Sequence, residues 1–177
     1  LWQMSELRLG ILGLGRIGSR VAEVARAIGF EVVYNDLLDI PSERRCGATP
    51  VSLTELFAES DVISLHCDGR PSNRGFVDAG LIESMRPDVV LLNPSRGLVI
   101  DEQALARFMR RSPGASAILD VHAQEPFTET CPFLGMANVH LAPHLASRTL
   151  HAMEAMSWVV RDVWAVLEGR VPAHAAC

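Results

Sequence analysis

Apolar residues fall along the chain in two alternating patterns. Short continuous runs stand at "LRLGILG" (7–13), "EVVYN" (31–35), "DVISLHC" (61–67), "DVVLLN" (88–93), "ASAILDV" (115–121) and "NVHLA" (138–142). Between them, apolar positions recur every three or four residues, as in "RIGSRVAEVARAIG" (16–29) and "DEQALARFMRR" (101–111). The first pattern is that of strands buried on both faces, the second that of helices with one buried stripe. Six strands alternating with helices predict an α/β fold with a doubly wound parallel sheet.

Local signals mark the helix ends. "SLTELFAES" (52–60) opens with Ser52 and carries Glu55 three residues on, the pattern of a capping box. "DAGLIESM" (78–85) stops before Pro87. The 101–111 segment has acids at its start and arginines at its end, matching the helix dipole. A last helix is expected over 147–169, stopped by Gly169. Its Trp158, Trp164 and four valines suggest packing against another domain or subunit. A two-proline loop is expected over 123–136.

The 177 residues suit a single domain over 1–177, with a core of about 7–146. Hydrophobic residues make up 49% of the chain, enough for a full core. A net charge of −5 without a basic block argues against nucleic-acid or membrane-surface partners. All sixteen basic residues are arginine, so a Schiff-base lysine and a Walker-type phosphate lysine are excluded. Cys46, Cys67, Cys131 and Cys177 are scattered without metal-ligand spacing, which predicts reduced thiols, no metal site and a cytoplasmic location. No apolar run nears the ~20 residues of a membrane span. The opening "LWQMSELR" has neither a secretion-signal pattern nor an initiator Met, so a piece of a longer chain is expected.

"GLGRIG" places Gly13, Gly15 and Gly18 directly after a strand and at the opening of a helix. Alone the spacing is weak; in this context it is that of a dinucleotide cradle. Gly13 suits a tight turn, Gly15 a close approach of backbone to pyrophosphate, and Gly18 close helix–strand packing. The helix start offers N–H groups to the phosphates. Asp36 closes the second strand and suits the adenosine ribose hydroxyls. No arginine follows it until Arg44, which favours NAD over NADP. Another Rossmann ligand, such as S-adenosylmethionine, stays open at this point.

Three ionisable residues stand at or beyond late strand ends, where ligands of open α/β sheets bind. Arg96 follows "VVLLN", Glu125 follows the strand closed by Asp120, and His144 follows "VHLAP". Oxidising a secondary alcohol by hydride removal also requires that its proton leave, a task for an imidazole poised near neutral pH. A carboxylate on the other ring nitrogen fixes the tautomer. An arginine can grip a carboxylate and polarise a carbonyl. Each residue has a structural alternative: Arg96 pairing with Asp101 or Asp120, Glu125 solvated, His144 capping the last helix. His66 and His140 are expected to be packed on strands, His122 to line a loop, and His151 and His174 to lie at the surface.

"GILGLGRIG", "VVYND", "SLTELFAESDVISLH", "NPSRGLVIDEQAL", "ILDVHAQEP" and "LAPHLASRT" occur in this order. From about Leu7 to Pro172 the chain resembles the nucleotide-binding domain of the D-isomer-specific 2-hydroxyacid dehydrogenases. The resemblance implies a Rossmann-type fold, NAD (NADH) as cofactor, a small 2-oxo or 2-hydroxy acid as substrate and a homodimer. It implies Arg96 as the substrate-binding residue, His144 as acid/base and Glu125 as its support. Asp120 would hold the nicotinamide carboxamide, and Arg16 and Ile17 would offer backbone N–H to the pyrophosphate. The family's substrate-side domain is absent from this chain, so the segment alone should bind NAD but turn over poorly. There are departures. Pro94 stands where the family often has Thr or Ala, Ala123 where many have a first glutamate, and "LHCDGR" (65–70) where many read a Leu-Pro pair after the histidine, so Asp68 and Gly69 change the cofactor-side loop. "LHC" and "DVHAQEPF" are also similar to the C-terminal-binding-protein corepressors, NADH-sensing regulators, but Ser147 stands where those carry tryptophan.

Overall fold

The computed structural model describes residues 3–146 and 148–173. Its contacts divide the chain into two units, Leu1–Pro143 and His144–Cys177. The expectations attached to Ser147, His174 and Cys177 lie outside the described residues.

In the first unit seven strands form one all-parallel sheet. They are β1 (Arg8–Leu12), β2 (Glu31–Asn35), β3 (Thr49–Pro50), β4 (Val62–Leu65), β5 (Val90–Asn93), β6 (Ser116–Leu119) and β7 (Val139–Leu141). Their spatial order is β3-β2-β1-β4-β5-β6-β7. Six of them match the apolar runs. The seventh, β3, is a two-residue edge strand containing a proline, too short and too exposed to leave an apolar signature.

Helices α1 (Arg16–Ala27), α2 (Leu53–Glu59), α3 (Ala79–Ser84) and α4 (Glu102–Arg111) connect the strands. Ser52, Asp78 and Asp101 cap α2, α3 and α4 by accepting from the third backbone N–H onward. Only half of the expected capping box forms. The Glu55 side chain instead accepts from Arg8 Nη2 at 3.0 Å, because Arg8 gathers Glu31, Glu55 and Glu59 around it.

Two apolar clusters hold the sheet. One packs α1 on β1 and β2 through Ile11, Ala22, Ala25 and Tyr34. The other packs α2, α3 and α4 on β4, β5 and β6 through Phe57, Ile63, Leu91, Leu105 and Phe108. On edge strand β7, His140 is exposed rather than packed.

The second unit carries α5 (Leu150–Ser157) and α6 (Val159–Leu167), not one continuous helix. The break has a local cause. Ser157 Oγ donates to the Met153 carbonyl at 2.9 Å, a back-bond that bends helices. Two β-branched valines follow, and Arg161 stacks 4.1 Å from the Trp158 ring centroid. Among the described residues no helix is long and apolar enough to cross a membrane.

Phe57 is fully buried, whereas Leu37 is 87% exposed. Phe57→Ala should lower unfolding stability by about 3–5 kcal/mol, and Leu37→Ala by less than about 0.5 kcal/mol, measured by urea denaturation.

Candidate active site

The sheet reverses its winding between β1 and β4, and the glycine turn leaves β1 at that point. Gly13 holds a φ of 93°, in the left-handed region that favours glycine. Its N–H donates to the Asn35 carbonyl at 2.8 Å, while a Cβ there would meet the His66 backbone at 3.0 Å. A Cβ on Gly18 would collide with the Gly13 carbonyl oxygen, so α1 can close on the turn only without one. Gly15, the N-cap of α1, faces open space. Past it, the first-turn N–H groups of Arg16 and Ile17 have no intrahelical acceptor.

Asp36 is half-buried beside this turn. One carboxylate oxygen accepts from Leu14 N at 2.6 Å and the other from Leu38 N at 2.9 Å. Leu37 and Leu38 follow, both exposed, where a 2′-phosphate would require a cation. An open glycine N-cap, a helix start and a fixed acceptor at the end of β2 together fit an NAD adenosine and pyrophosphate.

His66 and Cys67 follow β4 directly. The His66 N–H donates to the Leu12 carbonyl at 2.7 Å, and its Nε2 lies 2.9 Å from Ser64 Oγ. Burial pushes the His66 pKa below the usual imidazole value. Burial also pushes the Cys67 thiol up, partly offset by a backbone hydrogen bond and by the Ser95 side chain.

Beyond β5, Asn93 organises the chain around Arg96. Its Oδ1 accepts from Ser95 N at 3.1 Å and Ser95 Oγ at 2.7 Å, and its Nδ2 donates to the Arg96 carbonyl at 3.1 Å. Pro94 sits inside this side-chain turn, where a pre-set φ suits and no N–H is needed. Arg96 is exposed, and its Nη1 donates to the Ser95 carbonyl at 2.7 Å. Among the described residues no carboxylate pairs with it. Asp101 is engaged as the α4 cap instead.

Gly97 carries this loop onto the next one: a Cβ there would collide with the His122 carbonyl group. On the far side, His122 N donates to Glu125 Oε1 at 2.9 Å, and Ala123 N donates to Glu102 Oε1 at 2.7 Å. His122 is 6% exposed, with Nε2 2.9 Å from the Ala142 carbonyl and an edge contact to Phe127. The Asp120 N–H donates to the Asn93 carbonyl at 3.1 Å. The structure thus brings the Arg96 loop against the loop bearing Glu125. Residue-by-residue reading missed Asn93, Ser95, Gly97 and Glu102 as the residues that hold these loops; the Asn-x-Ser-Arg-Gly string at a strand end was the signal for the first three. In the second unit, His144 has a φ of 55°, uncommon for a residue with a side chain, although histidine tolerates it better than most. Among the described residues no group of acids, histidines and cysteines could hold a metal.

The family described as "D-isomer specific 2-hydroxyacid dehydrogenase, NAD binding domain" matches residues 1–146. A glyoxylate reductase of Aeropyrum pernix is 36% identical over 168 residues, covering 94% of this chain and 50% of that protein. The solved structure of a glyoxylate reductase from Paecilomyes thermophila has a TM-score of 0.89 at 35% identity, over 96% of this chain and 52% of that one. A D-lactate dehydrogenase from Aquifex aeolicus, solved with NAD and lactic acid, has a TM-score of 0.84 at 32% identity, over 95% and 55%. The chain spans about half the length of these relatives.

Gly15→Ala should leave the melting temperature unchanged but weaken NADH binding about tenfold or more, because the added methyl meets only ligand; fluorescence titration measures this. Gly18→Ala should lose both. A second test concerns pH. An unfolded imidazole titrates near about 6.5. The depressed folded pKa of His66 therefore adds stability that is complete above that value and lost as pH falls through the folded pKa. The urea midpoint should drop on acidification below about pH 6.5, and His66→Asn should flatten that drop.

Proposed function

Since the chain belongs to the D-isomer specific 2-hydroxyacid dehydrogenase family, as its NAD-binding domain, we propose that the whole protein interconverts a small 2-hydroxy acid and its 2-oxo acid. Bound NAD takes up or gives the hydride at C2. Arg96 grips the substrate carboxylate and polarises the C2 oxygen, two tasks that a planar fork of N–H donors performs well. His144 takes the hydroxyl proton during oxidation and returns it during reduction. Glu125 accepts from the other imidazole N–H and stabilises the ring while it is charged. Asp120 holds the carboxamide of the cofactor. The same reading makes the protein a cytoplasmic homodimer, with the apolar side chains exposed on α5 and α6 covered by a substrate-side domain or a second subunit.

The observation that carries this reading is Arg96. It is a permanent cation, exposed at the carboxyl edge beyond a dinucleotide turn, and pairs with no carboxylate among the described residues. A charge so placed without an internal partner suits an anionic ligand. The wild-type protein should oxidise NADH with at least one of glyoxylate, hydroxypyruvate, pyruvate or a bulkier 2-oxo acid. His144→Ala should lower kcat by about 10²–10⁴-fold while NADH affinity holds. Arg96→Ala should raise the 2-oxo acid KM by about 10–100-fold, as expected for losing charge-assisted hydrogen bonds. NADH binding without turnover on any 2-oxo acid would replace this reading with that of an NADH-sensing regulator.

A further inference from the structure

We infer that Gly69 is a positioning residue, whose missing side chain sets where the Arg96 guanidinium lies. This role presupposes that Arg96 grips the substrate anion. A Cβ on Gly69 would stand 2.9 Å from Arg96 Cγ, 3.6 Å from Cδ and 3.7 Å from Cβ. The inner methylenes of the arginine therefore rest on the glycine. They cannot swing aside without carrying the head with them, unlike the end of a flexible side chain. Backbone conformation does not require glycine here: Gly69 lies outside the left-handed region. The requirement is space alone.

The loop carrying Gly69 is braced against drifting. The Asp68 carboxylate accepts from Arg70 Nε at 2.7 Å, from Arg70 N at 3.2 Å and from Asn73 Nδ2 at 3.0 Å. Asn73 Nδ2 also donates to the Asp68 carbonyl at 3.0 Å. Arg70 holds the Asp68 carboxyl below the usual carboxylate range, so the brace stays charged at neutral pH. On the other side, Ser95 takes one N–H of the guanidinium. Stem and head are thus fixed at two points, and the remaining N–H groups face an anion with little rotamer freedom left to lose. Asp68 and Gly69, which depart from the usual pattern of the family, together form one side of the arginine's seat.

The test uses the whole protein, with oxalate as an inert anion probe. Gly69→Ala should raise both the glyoxylate KM and the calorimetric oxalate Kd of the NADH complex by about tenfold to 10²-fold, the scale of an ångström-sized misplacement. NADH Kd and melting temperature should not move. In an Arg96→Ala background the same substitution should add nothing, since coupling between two sites appears as non-additivity. Asp68→Ala, which loosens the loop without adding an atom beside the arginine, should weaken oxalate binding severalfold. A weakened NADH Kd, or an equal penalty with and without Arg96, would overturn the role of Gly69. So would unchanged oxalate binding in both single variants while Arg96→Ala weakens it. Intact oxalate binding in Arg96→Ala would instead remove the substrate-gripping reading beneath it.

Discussion

A sheet whose strands all point one way delivers every carboxyl end to the same edge, and this site is built on that edge. The interior strand β1 is tied on both sides as it exits: Leu12 accepts from His66 and Gly13 donates to Asn35. Those two bonds bring the glycine turn, the end of β2 and the end of β4 together where the winding reverses. A crevice at such a reversal is where open α/β sheets take their ligands. With that edge disordered, neither half of the site would keep its shape.

Side chains would keep these loops apart, and glycines let them meet. Gly18 allows α1 to close on the turn, and Gly97 lays the Arg96 loop on the His122 backbone. Polar side chains then fix what the glycines permit. Asn93, 2% exposed, satisfies two donors from Ser95 and donates to the Arg96 carbonyl. Glu102, at the start of α4, reaches across to Ala123. His122 is less well served: its Nδ1 is buried with no partner among the described residues. An unsatisfied group of that kind costs about 1–3 kcal/mol, against which stand its Nε2 contact with the Ala142 carbonyl and its packing on Phe127.

Charge divides the edge into two kinds of ground. The adenosine side offers a carboxylate already anchored to two backbone N–H groups, followed by leucines. That arrangement accepts from hydroxyls and disfavours a further phosphate. Along β5 the edge offers Arg96, which pairs with no carboxylate among the described residues, in a chain whose net charge is −5. The two ends of the edge thus differ in local electrostatics whatever the overall charge of the molecule.

The strands, the glycine cradle and the charged residues at strand ends could all be read from the chain, because each rests on local periodicity or short spacing. Apolar runs located six strands, and Ser52 located the start of one helix, since burial on two faces and capping are written in consecutive residues. Other features depended on partners distant in sequence. Glu55 left its capping box for Arg8, forty-seven residues away, and His140 was exposed on an edge strand. The meaning of Gly69 was equally invisible: a glycine in a loop does not announce which side chain, twenty-seven residues later, will lie across it. Sequence alone determined which chemical groups stand at the ends of which strands. Tertiary structure decided which loops touch, because contact between strand ends is set by sheet order and by the absence of a single carbon at the crossing points.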